Sequence, residues 1–233
     1  MITRHTLSAL ALALCSAGAS AAFSDDFTSG LSGWTAGGDV VAAGGVAVLT
    51  TASATFEDDI GESLNLSGTD PLIVGDAGGL EDFAGVAIGS LDPDIEANAT
   101  EGSALRRSFA VQAGERFSFD WNLATLDTAP GLAKDYAFVV IEGQRFDLGR
   151  AADAQQAAAS PYAAQTGWMH FEYVFAQAGN VNIAFGVVDV TDYSVSSRLS
   201  LDNVSISAVP EPHAYALLLA GLGLAGFAAR RRA

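Results

Sequence analysis

The central part of this chain reads as a single antiparallel β-sandwich. Three observations predict it. Apolar and polar residues alternate with a period of two over several stretches. Clusters of Gly, Asp and Asn separate those stretches at short intervals, and only one stretch has a helical composition. A period of two puts successive side chains on opposite faces of a strand, so each such strand buries one face and wets the other.

The alternation is cleanest over Arg116 to Leu123. Phe117, Phe119, Trp121 and Leu123 share one face, and Arg116, Ser118, Asp120 and Asn122 share the other. Met169, Phe171, Tyr173 and Phe175 repeat the pattern, as do Val181, Ile183, Phe185 and Val187. The short link Gln177-Ala178-Gly179-Asn180 between these last two strands predicts an antiparallel hairpin. Further strands are expected over Val40 to Thr50, Leu105 to Val111, Tyr136 to Glu142 and Arg198 to Ser207. Ala151 to Ala159 is expected to be helical, on propensity alone. The last strand carries a phase slip. Leu199 and Leu201 alternate together, then Val204 and Ile206 continue on the opposite parity. One extra residue near Asp202-Asn203 restores the alternation, which is how a β-bulge is written in a sequence.

The two ends differ from this domain. Residues 1–22 have the form of a signal peptide: Arg4 and His5, then an apolar run from Thr6 to Leu14, then Ala19-Ser20-Ala21-Ala22. Signal peptidase takes small side chains one and three residues before its cut, so cleavage is expected after Ala21 or Ala22. The large Leu14 ahead of Cys15 argues against a lipoprotein. At the other end, Ala214 to Ala229 is an apolar stretch, a little shorter than the roughly 20 residues a spanning helix needs. Arg230, Arg231 and Arg232 follow it and hold that end on the cytoplasmic side.

Val209-Pro210-Glu211-Pro212, then the apolar stretch, then the arginine cluster at the terminus resembles the PEP-CTERM sorting signal, also described as the C-terminal domain of ice-binding proteins. The resemblance covers residues 209–233. It implies recognition of the motif by an exosortase, a membrane cysteine protease, and removal of the helix. It also implies a Gram-negative bacterium in which the protein is held transiently in the inner membrane through this helix alone. The protein then passes to the cell surface or the extracellular matrix.

Composition narrows what the 23–208 domain does. It holds seven basic residues and 26 of the 27 acids, a net charge near −19. Nucleic-acid phosphates and anionic membranes are repelled by such a surface. With Cys15 lost alongside the signal, no cysteine remains for disulfides, thiol catalysis or thiolate metal sites. His170 is the one histidine left, so a multi-histidine metal site is excluded.

A second resemblance rests on scattered pieces. They are Phe27 with Leu31-Ser32-Gly33-Trp34, Asn65-Leu66-Ser67-Gly68-Thr69-Asp70-Pro71, Glu101-Gly102-Ser103-Ala104-Leu105, Phe119-Asp120-Trp121-Asn122 and Leu201-Asp202-Asn203-Val204. These look like secreted bacterial domains found ahead of PEP-CTERM tails. Their shape implies a jelly-roll sandwich similar to carbohydrate-binding modules, and implies no particular activity. Related modules often join the first strand to an aspartate of the last strand through a structural calcium. The matching residues here are Asp25 or Asp26 with Asp202.

Other constellations are weaker. Residues 57 to 101 hold twelve acids and no base. Within them Asp92, Asp94, Glu96 and Asn98 alternate like the start of a calcium loop, but Ala97 and Ser103 stand where the turn Gly and the closing Glu belong. Glu57-Asp58-Asp59-Ile60-Gly61-Glu62 has the E-x-D-x-x-E spacing of one family of retaining β-glucanases, which need carboxylates about 5 Å apart. Short matches arise easily in so acidic a segment, and no catalytic residue is assigned. Among the aromatics Trp34, Trp121, Trp168, Tyr136, Tyr162 and Tyr193, Trp168 lies in phase with the polar His170 and Glu172 and is the expected sugar-stacking residue. The expected function is a non-catalytic exported module binding extracellular polysaccharide. A structural or adhesive matrix protein is the alternative, and a glycoside hydrolase ranks last.

Overall fold

The structure, a computed structural model, describes residues 23–55, 63–93, 97–128, 134–208, 220–222, 224 and 230–231. The strands are β1 (Phe23–Asp25), β2 (Thr35–Gly37), β3 (Asp39–Ala43), β4 (Val46–Thr50), β5 (Leu72–Ile73), β6 (Ala99–Val111) and β7 (Glu115–Thr125). There follow β8 (Tyr136–Ile141), β9 (Gln144–Arg150), β10 (Gln156–Ala157), β11 (Ala164–Gln165), β12 (Met169–Val174), β13 (Gly179–Val190) and β14 (Ser197–Ala208). One helix, α1 (Leu80–Ala84), lies between β5 and β6.

The strands form two antiparallel sheets. One runs β10-β11-β7-β14-β4-β3, with β1 also on β14 and β12 also on β7. The other runs β2-β6-β13-β8-β9, with β5 also on β6. The long strands β6, β7, β8, β12, β13 and β14 alternate between the sheets, apart from the β8–β9 hairpin, which makes the sandwich a jelly roll. The predicted inner faces meet in one core: Phe117, Phe119, Trp121 and Leu123 from one sheet face Ile183, Phe185 and Val187 from the other. Phe185 lies 4.8 Å from Phe119 and 5.7 Å from Trp34, ring centre to ring centre.

A second apolar layer covers the far face of the β6–β13–β8 sheet, where Leu80, Ala84 and Leu91 pack on Tyr136, Phe138 and Val188. The buried Glu81 organises it by accepting Gly75 N–H at 3.0 Å and Gly89 N–H at 3.1 Å. Helix α1 has local signals that a period search passes over. Glu81 and Asp82 sit in its first turn, and Gly85 closes it in the left-handed conformation at φ 80°.

Three expectations are corrected. The Gln177–Asn180 link does not close a hairpin: β12 pairs with β7 in one sheet, and β13 pairs with β6 and β8 in the other. After the buried Phe175 the chain crosses the edge of the core, and Gly179 pairs with Val111. Val40 to Thr50 is a hairpin rather than one strand, turning at Gly44 and Gly45 with φ 63° and 83°. Ala151 to Ala159 is not a helix. A single 3₁₀ turn at Ala151–Asp153 gives way to β10, because this stretch has no apolar stripe and its backbone is taken by pairing with β11.

The quoted sequence pieces are mostly structural. The buried Asp39 carboxylate receives the N–H groups of Leu66 and Ser67, at 3.0 and 2.6 Å, and the Thr50 hydroxyl. Asp70 receives the Ser53 and Thr55 hydroxyls and the Ala54 amide. Ser103 donates to Thr50 O at 2.6 Å and accepts Asp39 N–H, tying the two sheets together.

Candidate functional site

The predicted bulge is present. Asp202 pairs with Asp120 while Ser205 pairs with Ser118, so β14 spends one residue more than β7, and Asn203 takes φ 53°. The bulge does not aim oxygens at the first strand. Asp25 pairs with Val204, whose side chain is in the core, whereas Asp202 pairs with Asp120 on the outward face. Asp25 and Asp202 therefore lie on opposite faces of the sheet. They are also otherwise engaged. Asp25 accepts the Trp34 indole N–H at 2.8 Å and Phe27 N–H at 2.9 Å. Asp26 accepts the Thr28 hydroxyl at 2.6 Å and amide at 3.1 Å, which hold its carboxyl below the usual range. Asp202 accepts Asn203 N–H at 2.6 Å.

What the bulge does build is an outward polar network. Asn203 donates its amide to Asp120 at 2.8 Å, and His170 Nδ1 lies 2.6 Å from the other Asp120 oxygen. Glu172 stands 3.5 Å from His170 Nε2 and 3.1 Å from Arg116. The hydrogen bond that His170 donates to Asp120, then the charge of Asp120 and the hydrogen bond and charge of Glu172, raise the His170 pKa, and the same bond to Asp120 lowers the Asp120 pKa. A raised histidine stabilises the fold fully below its unfolded value near 6.5, and that contribution fades as pH rises through the folded value. A lowered aspartate contributes above about 3.9 and fades as pH falls through its folded value. The pair thus helps most between about pH 4 and 6.5. Asp120→Asn is expected to return the His170 titration, followed by NMR, toward 6.5. An unchanged midpoint would mean that Glu172 alone sets it.

The aromatics separate by exposure. Trp34, Trp121, Tyr136 and Tyr162 are buried, while Trp168 is 52 % and Tyr193 53 % exposed. Trp168 lies just before β12 on the open sheet face. Tyr193, in the β13–β14 loop, lines a groove of about 600 Å³ with Pro71, Ile73, Ser53, Ser194 and Asp70. The sequence carries no local signal for this groove, which brings together four separate segments.

A second groove, of about 640 Å³, lies further along β6 and includes Arg106, Arg107, Phe83, Ser108 and Asn182. Its cations are already used. Arg106 covers the Phe83 ring at 4.4 Å and donates to Phe83 O, and Arg107 covers Phe23 at 4.5 Å. Ser108 donates to Asn182.

Beneath the Tyr193 groove the gap between the sheets is acidic. Glu101 lines the groove and interacts electrostatically with Asp189, as does Asp135, and all three are buried. Lys134 is buried too, but it is paired with Asp127.

The Glu57–Glu62 motif, Asp94 and Glu96, the motif Val209–Pro212 and Arg232 lie outside the described residues, as does most of the 214–229 stretch. Asp92 accepts Ala99 N–H at 2.9 Å. Arg230 and Arg231 are exposed. Among the described residues no helix is long and apolar enough to cross a membrane.

A jelly-roll sandwich followed by this C-terminal pattern defines an exported domain with a sorting tail. Residues 208–232 match the model of the PEP-CTERM protein-sorting motif, so the chain is an exported protein carrying the signal that an exosortase processes. No curated relative matches the chain. Among solved structures it is similar to the K3 cleaved adhesin domain of Lys-gingipain from Porphyromonas gingivalis w83, at 12 % identity over 80 % of this chain and 98 % of that one, TM-score 0.41. It is also similar to a CBM4 structure, at 10 % identity over 78 % and 91 % of the two chains, TM-score 0.31. A third is the Agl-KA catalytic domain, at 11 % identity over 76 % and 28 %, TM-score 0.26. Likenesses this distant transfer no ligand and no activity.

Proposed function

We propose that the protein is a non-catalytic polysaccharide-binding module of the bacterial surface or extracellular matrix, delivered there after exosortase removes its tail. The observation that carries the reading is Tyr193. A half-exposed ring on the wall of a groove, beside Ile73 and Pro71, offers an apolar face to a sugar ring. The Ser53 hydroxyl donates to Asp70 and the Ser194 hydroxyl to Asp192, and each keeps oxygen lone pairs to accept a sugar hydroxyl. The net charge near −19 favours a neutral glycan over an acidic one. In affinity electrophoresis or on a glycan array, Tyr193→Ala is expected to weaken binding at least tenfold, while Trp168→Ala changes it little. Undiminished binding in Tyr193→Ala would reject the groove. Self-assembly with no glycan affinity in the wild type would instead make the protein a structural or adhesive matrix component.

A further inference from the structure

We propose that the acidic gap at the end of the sandwich is a divalent-cation site, with Asp135 and Asp189 as its carboxylate ligands and calcium as the ion it suits. The site is distinct from the Asp25, Asp26 and Asp202 set, and it does not depend on the glycan reading.

The argument starts from burial. Asp135 and Asp189 are each 2 % exposed, and Glu101 is 7 % exposed. Asp189 alternates with Val187 along β13, and Asp135 precedes β8 in phase with Ala137. Val187 and Ala137 both belong to the inner core, so the two aspartates project between the sheets. Buried carboxylates need partners of opposite charge or donors for each oxygen. Asp135 has donors: Val190 N–H at 3.1 Å on one oxygen and the Ser197 hydroxyl at 2.6 Å on the other. Asp189 does not: its Oδ1 is buried with no hydrogen-bond partner. The nearby Lys134 ammonium is spent on Asp127. Burial first pushes both pKa values upward; at Asp189 the charges of Asp135, Asp192, Glu101 and Asp127 add to it, and at Asp135 those of Asp127 and Asp192 do so against the opposing Ser197 and Val190 hydrogen bonds.

Two things relieve such a pair: a proton or a cation. A proton on Asp189 cancels charge but supplies one hydrogen bond at most, to one oxygen. A cation between the carboxylates cancels charge and fills the vacant coordination of Oδ1. The surrounding groups decide which cation. They are oxygens, with the Ser197 and Thr125 hydroxyls linked at 2.8 Å beside Asp135, and no sulfur or imidazole. That donor set selects a hard ion. Among the described residues no three Asp, Glu, His or Cys side chains converge in a ready-made metal geometry. Hydroxyls, carbonyls and water would complete the shell, which calcium accepts at six to eight loosely arranged oxygens and magnesium does not.

The test uses the purified protein stripped with EDTA. Calorimetric titration with calcium chloride in physiological salt is expected to show one saturable site. Calcium should also raise the melting temperature more than magnesium does. Asp189→Asn, nearly isosteric, should weaken calcium binding at least tenfold and abolish the calcium-over-magnesium difference, while Asp202→Asn and Asp25→Asn keep both. Unaltered binding in Asp189→Asn would overturn the proposal, as would equal shifts with both ions. So would a wild type without a calcium adduct in native mass spectrometry, a measurement that holds even if the variant fails to fold. In that last case an Asp189→Asn protein with a raised melting temperature would identify a proton as what the pair holds.

Discussion

Replacing Phe185 by Ala is expected to remove about 3–5 kcal/mol of stability, the usual cost of deleting a buried ring in a core that cannot collapse. Phe185 sits on β13 in the middle of its sheet, between Leu105 on β6 and Val139 on β8. It is fully buried and touches the rings of Trp34, Phe117 and Phe119, so it joins the two sheets and the N-terminal segment at one point. The site cannot close up around the loss, because its neighbours are held in two hydrogen-bonded ladders. The next residue adds to that rigidity: a Cβ on Gly186 would lie 2.2 Å from the Phe138 ring on the far face. Urea unfolding should show a lower midpoint with an unchanged slope. At roughly 2–4 °C per kcal/mol for a domain of this size, the melting temperature should fall by about 6–20 °C. Val174→Ala, at a half-exposed position on β12, serves as the comparison and should stay within about 0.5 kcal/mol. A loss below about 1 kcal/mol in Phe185→Ala would show that the sheets repack freely.

Changing Pro210 and Glu211 together to Ala is expected to abolish tail removal. The motif lies within the 208–232 match, just beyond the last strand, which ends at Ala208. A protease that reads this short motif has little else to hold, so its loss should leave the precursor in the membrane through its apolar segment and arginines. Intact-mass analysis in a host that has the exosortase would find the wild type truncated and the variant ending at Ala233. Normal truncation of the variant would show that the enzyme reads the helix and arginines instead.

The faces of the strands were legible because side-chain direction follows residue parity. Phe117, Phe119, Trp121 and Leu123 are all inside, as the alternation requires. Even the bulge at Asp202-Asn203 was visible, since an inserted residue must break that parity. Parity does not say which sheet a strand joins. The four-residue link after Phe175 is compatible with a hairpin or with a crossing between sheets, and only the vacancy beside β6 and β8 decides it. Helix α1 leaves no periodic signal in the sequence, because five residues are too few to show one.

For the sites the division is sharper. Sorting depends on a linear signal within residues 208–232, and the sequence by itself determined it. The groove and the acidic gap depend on convergence. Pro71, Glu101 and Tyr193 come from three distant segments around one groove, and Asp135, just before β8, meets Asp189 of β13 only after folding. The same convergence separates Asp25 from Asp202, which a one-dimensional comparison had joined. An extra residue in β14 turns the two carboxylates to opposite faces of one sheet, and only the paired strands reveal which way each points.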